Sequence, residues 1–204
     1  MQVMGLAVIF IGAAGAFSGI FTITDGKLES GGTMLMIASL TIGALIGELI
    51  NIEVQMERFG EWLKVKAKSS NDTKFVDGFV TASLTVCIGA MAIVGSIEDG
   101  ISGNHDTLFA KAALDLVIVM VFAAAYGKGV IFSALPVAVL QGTVTLCAGI
   151  LAPIFSDAII ANISFIGSIL IFCVGINLAF GKKFKVGNML PAILIPIIYG
   201  LIFR

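Results

Sequence analysis

The chain has 204 residues, of which 58% are hydrophobic and only 12% charged, with 12 Lys and Arg against 13 Asp and Glu. An ordinary soluble domain carries about 25% charged residues. This composition cannot clothe a water-facing surface, so it excludes a soluble globular enzyme and a nucleic-acid binder and argues against disorder. A mean hydropathy of +1.09 leaves a polytopic α-helical membrane protein, with all 204 residues in a single transmembrane domain.

A membrane helix needs about 20 mainly apolar residues. Seven candidates follow in chain order, over 5–21, 33–50, 78–97, 112–127, 130–155, 158–180 and 188–203. They are apolar throughout and show none of the alternation of barrel strands. The fifth is long and contains Pro136 and Pro153. The N-terminal residues lack the charged and small-residue pattern of a signal peptide.

Charge sets the orientation. Arg58, Lys64, Lys66, Lys68 and Lys74 lie between the second and third candidates, Lys128 after the fourth, and Lys182, Lys183 and Lys185 after the sixth. With seven crossings these segments share one face, and the opposite loops hold only Lys27 and Lys111. Lys/Arg-rich loops stay inside. Residue 1 is therefore expected in the cytoplasm and Arg204 outside. The outer loops carry Asp25, Glu29, Glu98, Asp99, Asp106 and Asp157. These acids either form a cation-attracting mouth or are simply what positive-inside sorting leaves behind.

The longest inner loop, 51–77, carries Ile52, Met56, Phe59 and Leu63 at helical spacing, with Glu53, Glu57, Arg58, Glu61 and Lys64 on other faces. Trp62 suits a headgroup-level anchor. An amphipathic helix on the inner leaflet is expected, with a partner-binding or gating helix as the other reading.

Catalytic and metal signals are absent. Cys87, Cys147 and Cys173 sit in apolar stretches without ligand spacing, and His105 is the only histidine. Nothing matches a nucleophile elbow, a phosphate loop or a dinucleotide fingerprint. No enzyme activity and no cofactor are expected.

The 24 glycines include Gly15 and Gly19, and Gly43 and Gly47, each pair four apart. Such spacing either packs helices closely or allows a helix to break and expose backbone. An internal echo links Ile11-Gly12-Ala13-Ala14-Gly15-Ala16 with Ile88-Gly89-Ala90-Met91-Ala92-Ile93, and more weakly with Val174-Gly175-Ile176-Asn177-Leu178-Ala179. Internal repeats are a common plan for transporters. Gly12, Gly89 and Gly175 are thus candidate break points.

Ionisable residues inside spans are costly and usually functional. Only Glu48 and Asp115 qualify, each near a span end. Glu48 either anchors at the interface beside a lysine or contacts a cation. Asp115 either pairs with Lys111, one turn back, or does the same. Among neutral groups, Thr81, Ser83, Thr85, Thr143 and Thr145 are hydroxyls, while the amides of Gln141 and Asn177 are the best candidates for a polar path. Asn188 and the kink-prone Pro136 and Pro191 complete the set.

One series of motifs is familiar. It begins Gly78-Phe79-Val80-Thr81-Ala82-Ser83-Leu84 and Ile88-Gly89-Ala90-Met91-Ala92-Ile93-Val94-Gly95-Ser96, then Asp99-Gly100. It continues with Leu108-Phe109-Ala110-Lys111, Leu114-Asp115 and Asn188-Met189-Leu190-Pro191-Ala192. This order, over nearly the whole chain, resembles the bacterial inner-membrane family of domain of unknown function 554. The resemblance implies location and fold, with only a loose description as transporters. It also implies a further glycine-rich span before Met1, making eight crossings. Transport of a small solute or ion, linked to a cation or proton, is the leading expectation. A non-transporting scaffold or sensor acting through 51–77 is the alternative. Lipid and a second copy of the chain are the expected partners.

Overall fold

Long apolar runs favour helices, whose backbone bonds are satisfied internally, as hydrocarbon demands. A computed structural model describes residues 2–24 and 27–202, without the side chains of residues 4 and 22–30. Asp25, Met1 and Arg204 lie outside the described residues, and so do the side chains of Glu29 and Lys27.

In chain order the elements are α1 (Gln2–Ile20), a short antiparallel hairpin of β1 (Phe21–Thr24) and β2 (Lys27–Ser30), and α2 (Thr33–Ile50). Next come α3 (Ile52–Lys66), α4 (Phe75–Cys87), α5 (Ala90–Ser102) and α6 (Asp106–Tyr126). A 3-10 turn (Lys128–Ser133) leads into α7 (Ala134–Leu146) and the one-turn α8 (Ala148–Leu151). The chain ends with α9 (Asp157–Phe180), the one-turn α10 (Val186–Met189), a second 3-10 turn (Leu190–Ile193) and α11 (Leu194–Ile202).

Among the described residues, four helices are long and apolar enough to cross a membrane: Thr33–Ile50, Asp106–Tyr126, Lys128–Leu146 and Asp157–Phe180. The α4–α5 pair makes a fifth if its 62° bend is taken within one span. Gly5–Ile20 and Val186–Ile202 are shorter apolar helices. The seven expected segments are therefore all helical, but by length and composition only four or five of them are full spans. The third is broken at Ile88–Gly89, and the expected 130–155 span ends at Leu146 before the separate turn of α8. Pro136 and Pro191 each lie within a longer helical run, beside the point where it changes between 3-10 and α geometry: Pro136 in the first turn of α7, Pro191 in the second 3-10 turn.

The chain divides into two compact units. One comprises Met1–Ile52, Ile88–Ala90 and Ile154–Arg204, the other Glu53–Cys87 and Met91–Pro153.

In the first unit α1 and α9 pack antiparallel along a glycine seam. A Cβ on Gly5 would lie 2.7 Å from the Ala179 Cα, one on Gly12 2.6 Å from the Phe172 Cα, and one on Gly19 2.7 Å from the Phe165 Cβ. On the opposing helix, a Cβ on Gly175 would lie 2.6 Å from the Ile9 nitrogen. Both helices are continuous here. Gly12 and Gly175 therefore do not mark helix breaks; hydrogen in place of a side chain lets two backbones touch. Phe165, Ile166 and Ala192 form the buried centre, flanked by Ile20, Met36, Leu40, Ile169 and Ile193.

In the second unit Phe75 and Phe79 are fully buried, and Phe75 meets Phe132 at 5.3 Å between ring centres. The close approach of Gly129 to Phe75 places the 3-10 turn against the start of α4. On α3 the buried residues are Glu53, Gly60 and Leu63, while Phe59 and Trp62 are exposed. The expected stripe is thus shifted. Gly60 lets α3 settle on Phe79 and Val76, with the Phe59 ring edge-on to Phe79 at 5.8 Å and still 44% exposed.

Candidate functional site

Two polar clusters lie among the apolar helices, one in each unit. In the first unit, Gly43 and Gly47 bring α2 onto the chain entering α11; a Cβ on Gly43 would lie 2.6 Å from the Ala192 Cβ, and one on Gly47 2.9 Å from the Asn188 Cα. That approach presses buried Asn188 against the last turn of α2. Its side-chain amide donates to a Glu48 carboxylate oxygen and, at 3.4 Å, to Asn51 Oδ1. The Lys185 ammonium pairs with the other Glu48 oxygen. Asn51 ends α2 in the left-handed conformation, with its N–H on the Gly47 carbonyl at 2.7 Å. Glu48 and Lys185 both remain about half exposed, so this cluster is an open mouth.

The other cluster lies in the second unit, where α4 stops at Cys87; Gly89, at φ +157°, precedes the start of α5 at Ala90. A stopped helix leaves carbonyls without intrahelical donors. The Lys111 ammonium donates to one of them, the Val86 oxygen, at 2.9 Å, and pairs with Asp115 one turn along α6. Only 8% of the Lys111 side chain and 22% of the Asp115 side chain are exposed. A cation, a helix-end carbonyl and a carboxylate thus close on each other within apolar surroundings.

The other sequence candidates fall elsewhere. Asn177 bonds to the loop that follows α9. Its oxygen accepts the N–H groups of Lys183 and Phe184 at 2.8 and 2.9 Å, and its amide donates to the Phe184 carbonyl at 2.7 Å, pinning the loop after α9. Gln141 is half-buried on α7, a helix without a fully buried residue, and its side chain makes no hydrogen bond among the described residues. Pro191 is buried beside Ala192, behind Asn188. Of the acids expected outside, Glu98 accepts the Thr107 hydroxyl at 2.7 Å, Asp99 contacts His105, and Asp106 and Asp157 occupy the first turns of α6 and α9.

From the sequence Lys111 is expected only as the ion-pair partner of Asp115, one turn away on the same helix, and the structure forms that pair. The reach of Lys111 to Val86 depends on the break in α4–α5, for which Gly89 was the one available signal. Lys185 was counted for orientation alone. No group of three or more His, Cys, Asp or Glu that would hold a metal ion exists among the described residues.

The family model described as "Protein of unknown function (DUF554)" matches residues 1–201. The chain is 34% identical over 196 residues to the "Uncharacterized membrane protein YdfK" of Bacillus subtilis (strain 168), covering 96% of this chain and 80% of that protein. It is 27% identical over 164 residues to the "Uncharacterized protein YqgA" of Escherichia coli (strain K12), covering 78% and 70% respectively. No solved structure matches the chain.

Proposed function

The chain belongs to the DUF554 family of membrane proteins, and on that premise we propose that it is a multi-pass protein of the bacterial inner membrane that moves a small solute or ion coupled to a cation or proton. One observation carries the reading: Lys111 holds both a carbonyl at a helix break and the Asp115 carboxylate. Broken membrane helices place unpaired carbonyls and carboxylates where coupling ions bind. Here the protein's own ammonium occupies those ligands. A proton or cation that neutralises Asp115 releases Lys111 from that partner and leaves the Val86 oxygen as the acceptor for its ammonium. Glu48 and Asn188 supply the cation-attracting inner mouth, and Gln141 the polar lining on α7.

Seven crossings suit the helix polarity within the first unit. Antiparallel α1 and α9 require an even number of crossings between them. Taking α2, the α4–α5 pair, α6 and the 3-10 turn with α7 as four crossings supplies it. A homodimer is supported by α7, where no atom lies within 4 Å of a Cβ on Gly142, so a second helix has room to approach.

Flux assays in liposomes, with ion and metabolite gradients and the variants Asp115→Asn and Glu48→Gln, test the reading. Gradient-driven flux that both substitutions abolish supports it; no flux, or flux indifferent to both, removes it. A scaffold or sensor is the second reading, favoured by the exposed Phe59 and Trp62 of α3. In-cell cross-linking from α3 to a stable protein partner would select it.

A further inference from the structure

The segment from α3 to the start of α4 is tethered between two apolar helices, α2 ending at Ile50 and α4 beginning at Phe75. Between it and the turn after α6 lies an open pocket of about 570 Å³, lined chiefly by Lys68, Ser70, Asn71, Asp72 and Lys128. Three features give this cavity the chemistry of a phosphate ester site. First, two lysines, Lys68 and Lys128, both exposed, line the same pocket. Second, Ser70 and Asn71 have no hydrogen-bond partner among the described residues, so their donors are available.

The third feature is the backbone at Lys68. Helix α3 closes with the Ser69 N–H on the Lys64 carbonyl at 3.0 Å and the Lys68 N–H on the Val65 carbonyl at 3.1 Å. This closure puts Lys68 in the left-handed region, at φ +51°. Glycine is the usual residue at that position of such a helix end. A lysine there costs backbone strain, which persists mainly where the side chain has a use.

Asp72 refines the ligand. Its Oδ1 accepts the Lys74 N–H at 3.0 Å, leaving Oδ2 beside Gly127. Two ammonium groups and one carboxylate leave a net positive lining, suited to a singly charged phosphodiester whose far end donates hydrogen bonds. On α3, Phe59 and Trp62 stack at 5.7 Å between ring centres, both exposed, and the Lys66 ammonium lies 5.8 Å from the Trp62 ring. Exposed aromatics beside lysines suit a lipid headgroup layer.

We propose that the cavity formed by Lys68, Ser70, Asn71, Asp72 and Lys128 binds the headgroup of an anionic phospholipid. Lys68 and Lys128 hold the phosphate, and Asp72 accepts the hydroxyls of a glycerol headgroup. The proposal needs the protein at a membrane surface but does not need it to transport.

The test uses the purified full chain in detergent, with bound lipid read by native mass spectrometry. Phosphatidylglycerol, phosphatidylethanolamine and phosphatidylcholine are offered at equal concentration. Preferential retention of phosphatidylglycerol is expected, with a drop of at least about tenfold in a Lys68→Gly, Lys128→Ala variant. Glycine suits the left-handed position better than lysine, so that loss does not come from misfolding. A Lys128→Arg variant is expected to retain the lipid. Equal retention of all three lipids, undiminished binding in the double variant, or displacement by soluble glycerol 3-phosphate at equal concentration would each overturn the proposal.

Discussion

Gly12 of α1 and Phe172 of α9 meet so closely that a Cβ on the glycine would lie 2.6 Å from the phenylalanine Cα. No rotamer change relieves a clash with backbone, so the helices must separate to admit any side chain. Gly12→Val is therefore expected to destabilise the protein by at least about 1–3 kcal/mol. Gly142, with open space around it, provides the contrast: Gly142→Ala is expected to stabilise α7 by about 0.5–1 kcal/mol. Thermal midpoints of the two variants in one detergent measure the difference, and equal effects would contradict the seam.

Removing one member of a buried ion pair strands the other. Lys111→Ala leaves the Asp115 carboxylate and the Val86 carbonyl without their donor. A loss of about 3–5 kcal/mol is expected. The Lys111→Ala, Asp115→Ala double variant is expected to recover part of it, because the stranded charge is gone. A double variant no more stable than Lys111→Ala would show that the pair is not the source of the loss.

Glu48 poses the opposite case, because its pair with Lys185 is open to solvent. Exposed pairs add little to stability. Glu48→Gln keeps an oxygen for the Asn188 amide, so the thermal midpoint is expected to stay unchanged while any cation-coupled flux disappears. A marked fall in the midpoint would make Glu48 a structural residue.

Orientation is open to sided labelling. In a variant with Cys87, Cys147 and Cys173 replaced by alanine, Ser70→Cys is expected to react with an impermeant thiol reagent only from the cytoplasmic side. Asn104→Cys is expected to react only from the outside. Reaction of both from one side would break the proposed seven-crossing arrangement.

Trp62 is the only tryptophan, so its fluorescence reports α3 alone. In reconstituted protein, lipids brominated near the glycerol backbone are expected to quench it more than lipids brominated at the chain ends. Absence of quenching by either would place α3 away from the membrane.

The two clusters were unevenly legible in the sequence, for a physical reason. A lone carboxylate in an apolar run stands out by desolvation cost, so Glu48 and Asp115 were visible. Their partners were not equally so. Lys111 lies one turn from Asp115 on α6 and follows from helical spacing. Asn188 and Lys185 are 140 and 137 residues from Glu48, and only the glycine-mediated approach of two helices joins them. Asn177 sits near the end of a long apolar run, and its polar atoms are used by the loop that follows. On α3, helical periodicity found the apolar residues but could not tell which face would be covered. Gly60 decided that, because a position without a side chain makes the closest contact.

By itself the sequence determined the membrane class, the helical segments, the sorting of charge between loops and the short roster of carboxylates in apolar runs. These depend on composition and local period, since hydrocarbon penalises charge and unpaired backbone wherever they occur. Only the tertiary structure decided which glycines pack and which interrupt: Gly12 and Gly175 sit in continuous helices, while Gly89 lies in a break. A glycine permits both outcomes, and the backbone or open space opposite it selects between them. The same holds for Lys111, whose ammonium finds the Val86 oxygen because α4 ends there.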